Sequence, residues 1–176
     1  MSHDETSRPA PAAAHEKTGF GLYAALTIAA AVIAASAAQS SLLLALPTWA
    51  MFMGWIAYFS RRPSAHEGLQ SFVCVLIGLC IGALTAIVVG ALTPTLGDAA
   101  FPITVFGVAL VVIAARGLPI LNNLLGYFIG LITFFASHFE PEVASIARLG
   151  CATALGSVAG WIAQSVERRI RELARA

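Results

Sequence analysis

The chain has 176 residues, 59% hydrophobic and 11% charged, with a formal net charge of +1; its mean hydropathy is +0.84. A soluble domain is about a quarter charged. Here residues 1–19 hold five charges, residues 167–176 hold six, and eight remain for everything between. That is too little polar surface for a soluble fold. The composition points to an integral membrane protein and argues against nucleic-acid binding, a disulfide scaffold or a soluble metabolic enzyme.

Residues 1–19 carry Pro9, Pro11, an alanine run and mixed charge, and read as a disordered cytoplasmic tail. The first apolar segment runs from Phe20 to Ala38 and breaks at Gln39-Ser40-Ser41. Within it, Ala35-Ser36-Ala37 has the small-residue pattern of a signal-peptidase site. The long, acid-containing tail before it argues for a retained span. The second segment runs from Leu42 to Phe59 with Pro47 inside it, and a polar loop with Arg61, Arg62 and Glu67 follows. The third covers Leu69 to Leu92, and Pro94, Gly97 and Asp98 mark a turn. The fourth spans Ala100 to Ala115, the fifth Leu118 to Ser137 with Pro119 at its start, and the sixth Val143 to Val166. A basic amphipathic cytoplasmic tail covers 167–176.

At about 20 residues per membrane helix, the region 20–166 holds six transmembrane helices in an all-α membrane domain. Lysine and arginine placement supports the count and sets the orientation. With both termini on one side, that side holds Arg8, Lys17, Arg61, Arg62, Arg116, Arg168, Arg169, Arg171 and Arg175, and the opposite side holds none. Arg148 sits inside the sixth span. Both termini are therefore expected in the cytoplasm, with the protein in the bacterial inner membrane.

A shift of 72 residues aligns Leu46-Pro47 with Leu118-Pro119 and Gly54-Trp55 with Gly126-Tyr127. It also aligns His66 with His138 and Gly78 with Gly150. Two three-helix repeats, 20–92 and 100–166, are the reading. Three is an odd number, so the second copy enters the membrane from the opposite side, as in channels and transporters with a path at the repeat interface.

Pro47 and Pro119 lack a backbone donor. Each reads either as a helix break whose freed backbone groups line a path or as a first-turn proline. Asn122 and Asn123, placed in the first turns of the fifth span, read as a hydrogen-bonding constriction for a polar solute or as interhelical bonds. Arg148 reads as a cationic group at the external mouth, or as a side chain that snorkels outward or pairs with Glu140 or Glu142. Glycine pairs at four-residue spacing, Gly78/Gly82, Gly126/Gly130 and Gly156/Gly160, read as helix-packing seams within the bundle or between protomers. Cys74, Cys80 and Cys151 lie in apolar stretches without metal-ligand spacing, so neither metal nor cofactor is expected. No Asp or Glu falls within a span, which argues against ion-coupled pumping, and no nucleophile–base pair is visible, so an enzyme is not expected.

Trp49 to Gly54, Ala57-Tyr58-Phe59, Gly126 to Gly130 and Leu155 to Gly160 resemble the pattern of a small bacterial inner-membrane family of unknown function, the YcdZ type. The resemblance covers residues 20–166 and implies a compact multi-span protein without an established substrate. The leading reading is a passive channel or facilitator for a small polar solute, with Asn122, Asn123 and Arg148 along the path. Its expected partners are the lipid bilayer and further copies of itself in a homo-oligomer. The alternative is a non-conducting membrane scaffold or regulatory subunit acting through helix–helix contacts.

Overall fold

The computed structural model describes residues 19–62 and 64–175, so the N-terminal tail, Gly19 aside, lies outside the described residues. The chain is all-α: α1 (Phe20–Leu43), α2 (Thr48–Phe59), α3 (Ala65–Leu96), α4 (Ala100–Ala115), α5 (Leu124–Ser137) and α6 (Val143–Leu173), with one 3-10 turn at Gly97–Ala99. Three helical stretches are long and apolar enough to cross a bilayer, Phe20–Leu43, Ala65–Ala115 and Val143–Leu173. The protein is a multi-pass membrane protein.

The stretch Ala65–Ala115 is a hairpin. Ser64 caps α3 by accepting the backbone N–H of Glu67, an arrangement that fixes the helix start. At the far end Gly97 takes φ 54° and ψ −132°, a conformation L side chains rarely adopt, and the chain turns back. Val112 and Ala115, late in α4, share a packed cluster with Cys74 and Ile77, early in α3. The two helices are therefore antiparallel.

α2 and α5 are short. At 1.5 Å per residue they reach about 18 and 21 Å, less than the ~30 Å hydrocarbon core. Each follows a non-helical segment, 44–47 before α2 and 116–123 before α5. The expected second span therefore begins at Thr48, not Leu42, and the expected fifth at Leu124, not Leu118. Pro47 is the N-cap of α2, and Pro119 lies in the irregular segment ahead of α5. Neither proline interrupts a helix, nor does either sit in a first turn. The sixth helix runs unbroken to Leu173, so the first part of the basic tail continues α6.

Helix packing is organised by two seams. α2 packs mainly on α6, and α5 mainly on α3. In the first seam, a Cβ on Gly156 would lie 1.7 Å from the Met51 carbonyl oxygen, and one on Gly54 would lie 1.9 Å from that of Thr153. In the second, a Cβ on Gly78 would meet the Tyr127 carbonyl oxygen at 2.3 Å, and one on Gly130 that of Val75 at 2.2 Å. Only main chain without side chain fits at these points. Lipid tails give apolar helices no hydrophobic reason to associate, so close backbone approach and dispersion hold such pairs together. Gly160 and Gly82 extend the seams against Tyr58 and Phe134 respectively, and Gly126 faces Cys74. All six glycines read from the sequence thus face a helix of the same chain.

The seams share a register. Met51, Gly54 and Tyr58 in α2 contact Gly156, Thr153 and Gly160 in α6. Tyr127, Gly130 and Phe134 in α5, each 76 positions later, contact Gly78, Val75 and Gly82 in α3, each 78 positions earlier. By contact, Gly54 corresponds to Gly130 and Gly78 to Gly156. The uniform 72-residue offset pairs them instead with Gly126 and Gly150. It does match the C-terminal ends of α1 and α4, at Leu43 and Ala115. A longer segment before α5 accounts for the growth of the offset. Around the seams, Ala50, Ala57, Val75, Leu79, Ile129, Phe134, Leu149 and Ala152 belong to the main buried cluster, where α2, α3, α5 and α6 meet.

Candidate functional site

The polar side chains singled out in the sequence gather at the two non-helical segments, which lie toward opposite ends of the bundle. The first, Leu44–Pro47, reverses the chain between α1 and α2. Ser41, fully buried, donates to the Leu46 carbonyl at 3.2 Å, and the Leu46 N–H returns to the Ser41 carbonyl at 2.9 Å. This stapling forces Ala45 to φ 51°, a left-handed conformation uncommon for a residue with a Cβ. The Ala45 carbonyl points to α6, where Arg148 donates to it from Nε at 3.2 Å and Nη2 at 2.7 Å. The Arg148 guanidinium also lies over the Phe139 ring, 5.4 Å from its centroid, a favourable cation–π placement. Arg148 thus meets a carbonyl and a ring, and among the described residues it forms no ion pair with Glu140 or Glu142, one of the alternatives the sequence offered.

The second segment, 116–123, connects α4 to α5. Asn123 is its organising residue and is buried. Its Oδ1 accepts the Gly126 N–H at 3.2 Å, which makes it the N-cap of α5. Its Nδ2 donates to Ser60 Oγ at 2.7 Å and Ser71 Oγ at 3.0 Å, tying α5 to the α2–α3 loop and to α3. Both asparagines therefore precede α5; neither sits in its first turns. The exposed Asn122 accepts Arg61 Nη1 through Oδ1 at 2.6 Å. Arg61 also pairs through Nε with Glu67, in the first turn of α3. Tyr127 closes the cluster by donating its hydroxyl to the Leu121 carbonyl at 3.0 Å.

The two segments are held alike. Each irregular stretch accepts hydrogen bonds from an arginine in the other half of the chain: Arg148 of α6 holds 44–47, and Arg61 of the α2–α3 loop holds 116–123. The two differ in what is held: Arg148 satisfies a backbone carbonyl, Ala45, whereas Arg61 holds a side-chain amide, Asn122. Among the described residues, every buried side-chain nitrogen or oxygen has a hydrogen-bond partner. The buried hydroxyls of Thr85, Thr104 and Thr133 turn back on their own helices at 2.6, 2.8 and 2.6 Å.

Sequence reading missed Ser60, Arg61, Glu67, Ser71, Ala45 and Phe139. Lone serines carry no motif, and Arg61 counted only as a topology charge. Asn122 and Asn123 are brought together with one another, while Arg148 stands in the opposite cluster. Cys74 is buried beside Tyr127, whereas Cys80 and Cys151 are exposed on the helix surfaces. Among the described residues no three His, Cys, Asp or Glu side chains assemble as a metal set. The larger grooves on the bundle are apolar, including one of about 430 Å³ between α4 and α5 lined by Phe101, Val105, Phe128 and Ile132.

Comparison with known proteins finds no match among curated proteins and none among solved structures. A family model does match, over residues 25–165, from the first turns of α1 into α6 just short of its basic end. With most of the chain covered, the protein belongs to the family described as Protein of unknown function (DUF1097).

Proposed function

We propose that this chain is a non-conducting membrane module, of six spans in two opposed three-helix halves, that acts through helix–helix contacts. The observation that carries the reading is where the polar groups are spent. Asn122, Asn123 and Arg148, the residues available to a solute path, bond to Arg61, to Ser60 and Ser71, and to the Ala45 carbonyl. The interface between the halves is backbone against backbone at Gly54, Gly78, Gly130 and Gly156.

The support for opposed halves is the shared register: three α2–α6 contacts have counterparts between α5 and α3, with the roles of the halves exchanged. The α1–α6 and α3–α4 packings are a further matched pair. Both termini in the cytoplasm, and the inner membrane as location, follow in this reading from the lysine and arginine distribution. Membership of the YcdZ type is part of the same reading, and no catalytic step enters it. The six glycines are used inside the chain, so a homo-oligomer would meet through the outer faces of α1 and α4, where Ile28, Val32, Phe106 and Leu110 are exposed.

A second reading, the passive facilitator, is favoured by one feature: α2 and α5 are too short to span the core alone, which puts irregular backbone near the path such a protein would use. Stopped-flow light scattering of proteoliposomes separates the two. Water, urea, glycerol, acetamide and small monocarboxylic acids would be tested on the wild type, on Arg148→Leu and on Asn122→Leu with Asn123→Leu. All traces are expected to match empty liposomes. Wild-type permeability to any of these solutes, lost in a variant that keeps its helical content, would overturn the non-conducting reading in favour of the facilitator.

A further inference from the structure

A groove of about 410 Å³ on the outside of the bundle lies between α3 and α6, near the C-terminal end of α2. Gly68, Leu69 and Phe72 form one wall, Val158 and Trp161 the other, and Tyr58 the floor. It is almost wholly apolar and suits a hydrocarbon chain. Trp161 also borders a second groove, which continues along α6 to Arg168 and Arg169. Arg168 in turn borders a third depression along α6, lined also by Gln164, Arg171 and Arg175 and by the carboxylates of Glu167 and Glu172. Two shared residues, Trp161 and Arg168, thus join an apolar slot to an arginine-rich mouth that also holds two glutamates.

The chemistry of the mouth is selective. Arg171 is paired with Glu167 at 2.7 Å; with Glu172 also lining the mouth, its three arginines and two glutamates leave one net positive charge. Arg168 borders both the second and the third grooves and so stands at the boundary between them. Gln164 accepts the Tyr58 hydroxyl on its Oε1. That bond fixes the amide and leaves its Nε2 hydrogens as donors at the same level. An apolar slot, then a tryptophan, then arginines along α6 match the order of polarity along a phospholipid, with the tryptophan at the headgroup level that the proposed orientation gives it.

We infer that this face binds one anionic phospholipid of the cytoplasmic leaflet, with an acyl chain in the α3–α6 groove and the phosphate on Arg168. The leaflet rests on the orientation proposed above. The site itself is tested in detergent, where orientation plays no part, so failure of one is distinguishable from failure of the other.

The test is native mass spectrometry of the full chain in detergent, titrated with palmitoyl-oleoyl phosphatidylglycerol or with phosphatidylcholine of the same chains. One phosphatidylglycerol is expected to be retained at least tenfold more strongly than phosphatidylcholine. Arg168→Gln, an exposed change that spares the fold, is expected to remove at least fivefold of that preference. Val158→Trp, which fills the slot, is expected to weaken both lipids. Glycerol 1-phosphate is not expected to compete. Equal retention of the two lipids, or a preference unchanged by Arg168→Gln, would mean bulk lipid contact only and would overturn the inference. Full competition by glycerol 1-phosphate would overturn it in favour of a free-anion site. Lipid binding unaltered by Val158→Trp would remove the groove from it.

Discussion

Asn123 does three things with one amide: it caps α5 and holds both Ser60 and Ser71. Loss of an N-cap alone costs about 1 kcal/mol. Asn123→Ala also leaves two serines without their donor, so it is expected to cost more than about 2 kcal/mol. Asn123→Asp keeps the cap acceptor and loses the donors, and should fall between. Thermal unfolding in detergent reads the order. At the opposite cluster, Arg148→Leu removes both donors to the Ala45 carbonyl, at a cost of about 1 kcal/mol for so exposed a site. Ala45→Gly relieves the left-handed backbone and should be neutral or stabilising by up to about 1 kcal/mol. If Ala45→Gly destabilises as much as Arg148→Leu, the turn is not under strain. Some of this was visible beforehand. Asn122-Asn123 ahead of an apolar run is a capping signal in its own right, and read that way it would have put the start of α5 near Leu124. The serines and Arg61 were not visible as partners, because their contacts join residues about fifty to sixty positions apart and follow no spacing rule.

At the scale of the helices, the seams decide stability. Gly156→Leu and Gly78→Leu each drive a side chain into backbone that cannot yield, and overpacking of this kind costs about 3 kcal/mol or more. Gly90 and Gly107 have nothing within 4 Å of an added Cβ. Gly90→Leu and Gly107→Leu should therefore be tolerated, with yield and melting temperature near those of the wild type. Equal damage from all four would remove the seams from the account. The sequence located the seam glycines, because four-residue spacing marks one helix face, but their partners came only with the fold. Helix ends were less legible for a physical reason. Leu42 to Leu46 and Leu118 to Leu121 are as apolar as the helices beside them, so hydropathy runs through both breaks. Only Pro47, Pro119 and the asparagines marked them. In α6 hydropathy falls at Glu167 while the helix continues to Leu173, as the amphipathic pattern of the tail implies.

For the molecule as a whole, the central claim is that two halves of opposite orientation interlock, each placing its short helix on the long helix of the other. The antiparallel α3–α4 hairpin and a shared seam register support it, and the arginine distribution is the basis of the sense across the membrane proposed above. Single cysteines in a background lacking Cys74, Cys80 and Cys151 test it most directly. Ser64→Cys, Asp98→Cys, Arg116→Cys and Glu140→Cys would be probed in intact cells with a membrane-impermeant maleimide. The account predicts labelling at 98 and 140, and at 64 and 116 only after the membrane is opened. Labelling of 64 and 98 from the same side, or of 116 and 140 from the same side, would contradict it.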